Sequence, residues 1–202
     1  MTAQTNSIAN DVASAVMEVI RTRRTAREFS AQPVPRELID QIVEAATWAP
    51  NHRHTEPWRF IVLEKDGDAR RKVAHAVYEW TWNYVKNPNP ARRERSSADA
   101  RDEVLLTPVL MLVYSVPGSN EEITEENFYA TCCAAQNMQL MAHALGLAVG
   151  WSTGRLCKAE EVHKVLGVNP DWAVVGAFFI GFPTVLPEAE RQPLSDVCTY
   201  LG

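Results

Sequence analysis

The chain has 202 residues, of which 46% are hydrophobic and 22% are charged, and its formal net charge is −5 at pH 7. A chain of this length can bury a substantial core without disulfides or a structural metal, so we expect a single domain over residues 1–202. The acidic balance argues against a nucleic-acid-binding surface, and no apolar stretch predicts a secretory signal or a transmembrane helix, so we expect a cytoplasmic protein without membrane contact.

The first predicted helix ends in a cluster of positive charge. Asn10 or Asp11 can cap this helix. Its apolar residues recur at helical spacing and predict a core-facing stripe, formed by Val12, Val16, Val19 and Ile20. The segment 21–27 then contains four arginines and two threonines. Guanidinium groups and hydroxyls suit a phosphate or carboxylate ligand. The alternative is a solvated helix end, where basic residues interact favourably with the helix dipole.

A polar loop follows the second predicted helix. Pro35 fits the first turn of this helix, Pro50 ends it, and its apolar stripe includes Leu38 and Ile42. The loop 49–58 is rich in hydrogen-bonding side chains and is bounded by two prolines. It leads into a predicted strand at 58–63. Loops held between rigid elements commonly carry binding residues, so we expect a site here.

The middle of the chain alternates helices and strands. A third helix is predicted from Asp68 to the break at 87–90. Residues 91–106 predict a charged, exposed helix that could act as a mobile flap, and 107–116 predict a buried strand. Between Glu126 and Arg155 there is no charged residue. We predict a helix here that is capped by Thr124, stops at Gly146 and is buried all round, in part by a second subunit.

The last third of the chain predicts two more strands, at 147–151 and 172–182. They are separated by a Trp-Ser-Thr-Gly turn and a helix at 159–166. The tail from Pro183 is polar and contains Arg191. Strands separated by long helical segments indicate a two- or three-layer αβ sandwich.

Several common site motifs are absent from the sequence. There is no G-x-G-x-x-G and no Walker A motif, and the four cysteines follow no metal-binding spacing. His52, His54 and Glu56 could form a metal-dependent hydrolase site, although an H-x-H pair needs further ligands. The remaining polar motifs suit a ligand that is anionic at one end and aromatic at the other.

Two of these motifs in tandem resemble the nitroreductase family of FMN-dependent flavoproteins. The sequence RRTAREF at 23–29 is followed by APNHRHTEPWRF at 49–60. The second motif is most similar to the smaller family members with an A-P-[DN]-H-x-x-x-x-P-W loop. GWSTG at 150–154 and the region 175–183 match the second half of the family pattern, so the resemblance covers nearly the whole chain.

The resemblance implies an α+β fold, in which a three-layer αβα sandwich has a mainly antiparallel central sheet. It implies that NADH or NADPH donates a hydride to N5 of FMN, and that the electrons pass to a nitroaromatic, a quinone or a similar acceptor in a ping-pong cycle. The protein would be a homodimer with the site at the subunit interface. A non-catalytic flavin-binding protein is the other reading.

The resemblance also assigns the site residues, and it assigns no catalytic side chain or metal, because the flavin carries the chemistry. Thr25 stands where the family more often has Ser, and Glu56 leaves the acceptor open. The expected substrate contacts are Trp48 and Glu56. The expected FMN contacts are Arg23, Arg24, Thr25, Arg27, Asn51, His52, Trp151, Ser152, Thr153, Gly154 and Arg191.

Overall fold

The computed structural model describes residues 3–201. Within this range the chain forms eight helices and four strands. In chain order they are α1 (Ala3–Thr22), α2 (Arg36–Thr47), β1 (Trp58–Leu63), α3 (Asp68–Tyr84), α4 (Pro90–Leu106), β2 (Val109–Ser115), α5 (Glu121–Ala144), β3 (Ala148–Ser152), α6 (Arg155–Lys158), α7 (Glu160–Val165), β4 (Ala173–Gly181) and α8 (Leu194–Val197). None of these helices is long and apolar enough to cross a membrane.

The four strands form one sheet in the order β1-β2-β4-β3, and every neighbouring pair is antiparallel. The central strand β2 is buried along its whole length, as its continuous apolar sequence predicts. At the β3 edge, Thr25 forms a parallel bridge with Val149. This bridge brings the arginine-rich segment that follows α1 onto the sheet.

Helices cover both faces of the sheet, which confirms the predicted three-layer α+β architecture. Alternate residues of β4 face opposite cores. Phe178 packs on the side of α2 and α5, with Ile42 and Met138. Phe179 packs on the side of α3, α4 and α7, with Val77. In α4, residues Ser97, Ala100 and Val104 are buried. This helix is therefore part of one helical layer, and it is not the exposed flap that the sequence predicted.

The predictions for α1 are wrong in two respects. The helix begins at Ala3, and not at a cap formed by Asn10 or Asp11. Most of its apolar stripe lies outside the core: Val19 is half-buried where α1 contacts α5, and the rest of the stripe is exposed in the described part of the chain. The side chains of Val12, Val16, Met17 and Ile20 are 46 to 58% exposed.

The central helix α5 also differs from its prediction. Asn120 caps it, since the Asn120 side chain accepts from the Ile123 N–H at 2.9 Å. Thr124 lies inside the helix and donates to the Asn120 carbonyl. The predicted stop at Gly146 agrees with its positive φ of 77°. However, α5 is not buried all round within one chain: Met138 is fully buried, whereas Tyr129 on the opposite face is 57% exposed.

A buried arginine ties α3 to the ends of two neighbouring elements. Arg70 is fully buried. Its Nε donates to the Val104 carbonyl at 2.7 Å and its Nη1 to the Leu63 carbonyl at 2.8 Å, while Nη2 donates to the Thr107 carbonyl. Burial lowers the pKa of Arg70 to about 10, which still leaves it charged at neutral pH. The guanidinium therefore holds the end of β1 and the end of α4 in place.

We expect Arg70→Met to lower the free energy of unfolding by about 2–5 kcal/mol, because three buried carbonyls lose their donors. Urea unfolding measures this loss. The matched control is Arg71→Met, since the neighbouring side chain is 58% exposed. Equal losses in the two variants would contradict a structural role for the buried guanidinium.

Candidate functional site

The arginine-rich segment lies against β3 because small residues on the two backbone segments, Ala26 and Gly150, allow a close approach. Ala26 is buried, and a Cβ at Gly150 would come within 2.6 Å of the Ala26 carbonyl oxygen. Only a glycine at position 150 admits this contact without a shift of the backbone. Side chains alternate along an extended chain, so Thr25 and Arg27 share the side opposite Ala26.

The arginines of this segment leave unsatisfied positive charge. Nη1 of Arg23 is buried and has no hydrogen-bond partner. Burial lowers the pKa of Arg23, and the nearby charges of Arg191 and Arg24 lower it further. No described carboxylate lies within salt-bridge distance of the side chains of Arg23, Arg24 or Arg191. A buried donor without a partner is costly, so this cluster is suited to bind an anion.

The position of Arg24 differs from that of Arg23. Its Nη1 donates to the backbone carbonyls of Arg21 at 2.6 Å and Arg23 at 2.9 Å. That nitrogen is therefore engaged within its own chain, and Arg24 adds to the cluster mainly through its charge.

The end of β3 forms a second wall beside the arginine segment. The Trp151 ring stacks on Phe178 with centroids 5.2 Å apart, and its Nε1 donates to the Val175 carbonyl at 3.1 Å. Gly176 leaves the room for this ring, because a Cβ there would lie 2.1 Å from Trp151 Nε1. The Ser152 hydroxyl accepts from the Gly154 N–H at 3.2 Å. Trp151 and the turn after it are thus held rigidly.

A cavity of about 100 Å³ lies between these two walls. It is lined by Thr25, Arg27, Trp151 and Ser152, and also by Glu103 of α4 and by Thr107 just after that helix. Neither residue was predicted from the sequence, because Glu103 lies in a charged helical pattern without a motif and Thr107 lies at the start of a predicted buried strand. Arg23 and Arg191 lie near each other, so the structure brings this half of the predicted site together.

His143 connects the arginine segment to the end of α5. Its Nε2 lies 2.7 Å from the Thr22 hydroxyl. That hydroxyl donates its single proton to the Glu18 carbonyl at 2.6 Å, so Nε2 must carry the proton that it shares with Thr22. Burial lowers the pKa of His143, and Arg23 and Arg24 lower it further. No motif in the sequence pointed to a role for His143.

The proline-bounded loop lies at the other end of α5. The Thr55 hydroxyl donates to Asn127 Oδ1 at 2.6 Å, and Arg53 Nε donates to Glu126 at 2.8 Å. The side chain of Asn51 is engaged inside the loop, where its Oδ1 accepts from the Glu56 N–H at 2.8 Å. Trp48, at the end of α2, is 80% exposed.

One chain therefore does not bring all the predicted site residues together. Asn127 and His143 are sixteen residues apart on α5. At 1.5 Å per residue, about 24 Å of helix separates the loop from the arginine segment. Asn51, His52 and Glu56 belong to one end, and the predicted FMN residues of the arginine segment, β3 and the tail belong to the other. Trp48 lies between the two ends, because the carbonyl of Ala45 just before it accepts from Asn137 Nδ2 of α5 at 3.3 Å.

The proposed metal ligands of the alternative reading do not form a site. Among the residues that the structure describes, no group of three or more His, Cys, Asp or Glu side chains could hold a metal ion. His52, His54 and Glu56 are among the residues that this statement covers, so the geometry gives the hydrolase reading no support.

Comparisons with known proteins agree with one another. The model of the Nitroreductase family matches residues 20–182. YfhC of Bacillus subtilis (strain 168), which is provisionally named an NAD(P)H nitroreductase, is 31% identical over 190 residues that cover 93% of this chain and 95% of YfhC.

Two solved structures extend this similarity to the fold. A nitroreductase-like family protein from Bacillus cereus is 30% identical, has a TM-score of 0.77, and aligns over 92% of this chain and 95% of its own. A provisionally identified nitroreductase from Desulfovibrio desulfuricans in complex with FMN is 25% identical, has a TM-score of 0.70, and aligns over 93% and 96% of the two chains.

We expect His143 to make the stability of the ligand-free protein depend on pH. The unfolded chain takes up a proton near 6.5, whereas the folded chain resists it, so stability is complete above about 6.5 and falls as the pH drops below that value. His143→Gln keeps an N–H donor for Thr22 and removes the titration. Urea midpoints at pH 8 and pH 5 should differ more in the wild type than in the variant; equal differences would contradict this role.

Proposed function

The chain belongs to the nitroreductase family, and from this premise we propose that it is an FMN-dependent NAD(P)H oxidoreductase that reduces a small organic acceptor. The observation that carries the proposal is the partnerless, buried Nη1 of Arg23 beside Arg191 and Arg24. The phosphate of FMN would satisfy this donor and offset the mutual repulsion of the three guanidinium groups.

The residues around the arginine cluster fit the rest of the cofactor. When bound, FMN accepts a hydride at N5 from NADH or NADPH and passes the electrons to a nitroaromatic, a quinone or a similar acceptor in a ping-pong cycle. Thr25 and Arg27 would bind its phosphate and ribityl chain. The segment Trp151 to Gly154, which includes Thr153, would position the ring by backbone and side-chain contacts. No side chain of this chain is assigned as a nucleophile or a general acid.

We further propose that the active site is shared between two subunits of a homodimer. The arginine cluster and the loop of Asn51 and His52 lie at opposite ends of α5, as described above. Antiparallel packing of two α5 helices about a two-fold axis would bring the loop of each subunit to the arginine cluster of the other. Trp48 and Glu56 would then flank the acceptor.

Exposed apolar surface supports such a dimer. The stripe of α1 and the Tyr129 face of α5 are uncovered in one chain. The C-terminal tail also exposes apolar side chains at Leu194, Val197 and Tyr200. Apolar surface of this extent is typical of an interface, and a second copy would bury it.

The purified protein should be yellow, and Arg23→Ala combined with Arg27→Ala should weaken FMN binding about 10²- to 10⁴-fold. This estimate assumes that each charge-assisted hydrogen bond contributes about 1.5–3 kcal/mol. Titration of FMN into apoprotein measures the change, and Arg92→Ala, an exposed arginine of α4, is the control.

Reduction of the bound flavin in the purified protein distinguishes an enzyme from a non-catalytic flavin-binding protein. Under anaerobic conditions NADH or NADPH should bleach the bound flavin of the enzyme. A colourless protein that ignores added FMN would end the proposal altogether, and a yellow protein that neither nicotinamide bleaches would leave only the binding function.

Mixed dimers should test the shared site. One variant lacks Arg23 and Arg27, and the other carries Asn51→Ala and His52→Ala, so each homodimer has only defective sites. If two subunits share each site, random mixing should restore about a quarter of the sites, because every heterodimer regains one intact site. Bleaching activity measured before and after subunit exchange gives the result. No recovery would place each site within one chain.

A further inference from the structure

The loop that carries Asn51 and His52 is held in a strained conformation. His54 and Glu56 both have positive φ, of 51° and 45°, and neither is a glycine. A left-handed backbone costs a non-glycine residue roughly 1–2 kcal/mol. Two such residues on either side of Thr55 persist only if other contacts hold the loop in this shape.

A chain of four hydrogen bonds connects this loop to the end of β2. The Glu56 N–H donates to Asn51 Oδ1 at 2.8 Å, and Asn51 Nδ2 donates to the Thr55 hydroxyl at 3.2 Å. The hydroxyl donates to Asn127 Oδ1 at 2.6 Å, and Asn127 Nδ2 donates to the Val116 carbonyl at 3.0 Å. The chain thus runs from one backbone group to another through three side chains.

The two backbone ends determine the direction of every bond in this chain. A carbonyl can only accept, so Val116 requires the amide nitrogen of Asn127 and turns its oxygen towards Thr55. An N–H can only donate, so Glu56 requires the oxygen of Asn51 and turns its nitrogen towards the same hydroxyl. Hydrogen bonds that all point one way polarise and strengthen one another.

Asn127 is the buried end of the chain. Only 3% of this residue is exposed, and it lies on α5, which is the best-packed helix near the loop. The other bonds between α5 and the loop are the ion pairs of Arg53 with Glu122 and Glu126, whose side chains are 30 to 71% exposed. Exposed ion pairs contribute little, so the buried amide is the stronger anchor.

We propose that Asn127 is a positioning residue that acts through Thr55 to hold the loop 51–56 in the shape that faces the flavin. The proposal rests on the proposed function for the flavin contact, but not for the geometry of the loop. With its oxygen and one N–H engaged inside the chain of bonds, Asn51 keeps one N–H in a fixed direction for the ring. Asn127 itself does not need to touch the cofactor.

The test compares Thr55→Val, which has the same shape without the hydroxyl, with Thr55→Ser, which keeps it. In the apoprotein, exchange of the Glu56 amide hydrogen should become at least about fivefold faster in Thr55→Val, since loss of one hydrogen bond of about 1 kcal/mol frees the Asn51 side chain that accepts from this amide. Thr55→Ser should exchange at close to the wild-type rate. Thr124→Val, which removes another hydroxyl at the start of α5, is the control.

A second measurement links the loop to the cofactor. In Thr55→Val, FMN should bind about 3- to 10-fold more weakly, since one neutral hydrogen bond contributes about 0.5–1.5 kcal/mol, and the visible circular dichroism of the flavin should shift towards that of free FMN. Asn127→Asp keeps the acceptor and removes the donor to Val116, so it should move both readouts in the same direction.

Each outcome has a distinct meaning. Unchanged amide exchange in Thr55→Val would overturn the proposed role of Asn127, and so would equal losses in Thr55→Val and Thr55→Ser. Faster amide exchange with unchanged flavin binding and dichroism would overturn the link between the loop and the ring. Faster exchange in a protein that binds no FMN at all would support the loop geometry and overturn the proposed function instead.

Discussion

The length of α5 is the constraint on which the arrangement of this protein depends. Its first turns hold the loop of Asn51 and His52 through Asn127, and its last turn meets the arginine segment through His143. A rigid helix of 24 residues keeps these two groups apart within one chain. The same helix leaves one face uncovered. The proposed second copy of the chain would account for both the separation of the groups and the exposure of the face.

The positive charge of the arginine segment also depends on how the backbone is placed. The arginine segment is placed on the β3 edge by a backbone contact at Gly150, and not by ion pairs. Its guanidinium groups therefore stay free of carboxylates in the described part of the chain, and burial makes the missing partner of Arg23 costly. The buried Arg70 provides the contrast, because three carbonyls surround it and it has a structural role. Arg70 thus has all its buried donors engaged within the fold, whereas Arg23 has a buried nitrogen available for a ligand.

The two halves of the proposed site are held by different means. The Trp151 wall is rigid because its ring is stacked, bonded to Val175 and fitted over Gly176. The loop at 51–56 has no such packing, and it depends on a chain of polar side chains that offsets the strain at His54 and Glu56. The loop is thus the half of the site whose shape single hydrogen bonds can alter.

Local sequence patterns predicted a layered αβ architecture, the four strands and most helix limits, because hydrophobic periodicity, prolines and glycines act locally, whereas the antiparallel α+β fold was implied by the resemblance to a family. The sequence also identified the arginine segment and the Trp-Ser-Thr-Gly turn as candidate binding segments, because their guanidinium groups, hydroxyls and aromatic ring suit a ligand that is anionic at one end and aromatic at the other. Three features became apparent only in the folded chain. Most of the apolar stripe of α1 is exposed, and Glu103 and Thr107 line the cavity. At opposite ends of α5, His143 contacts the arginine segment and Asn127 contacts the polar loop. Each of these features depends on contacts between residues that are distant in the sequence. Hydrophobic periodicity shows that a helix face is apolar, but it does not show which element covers that face.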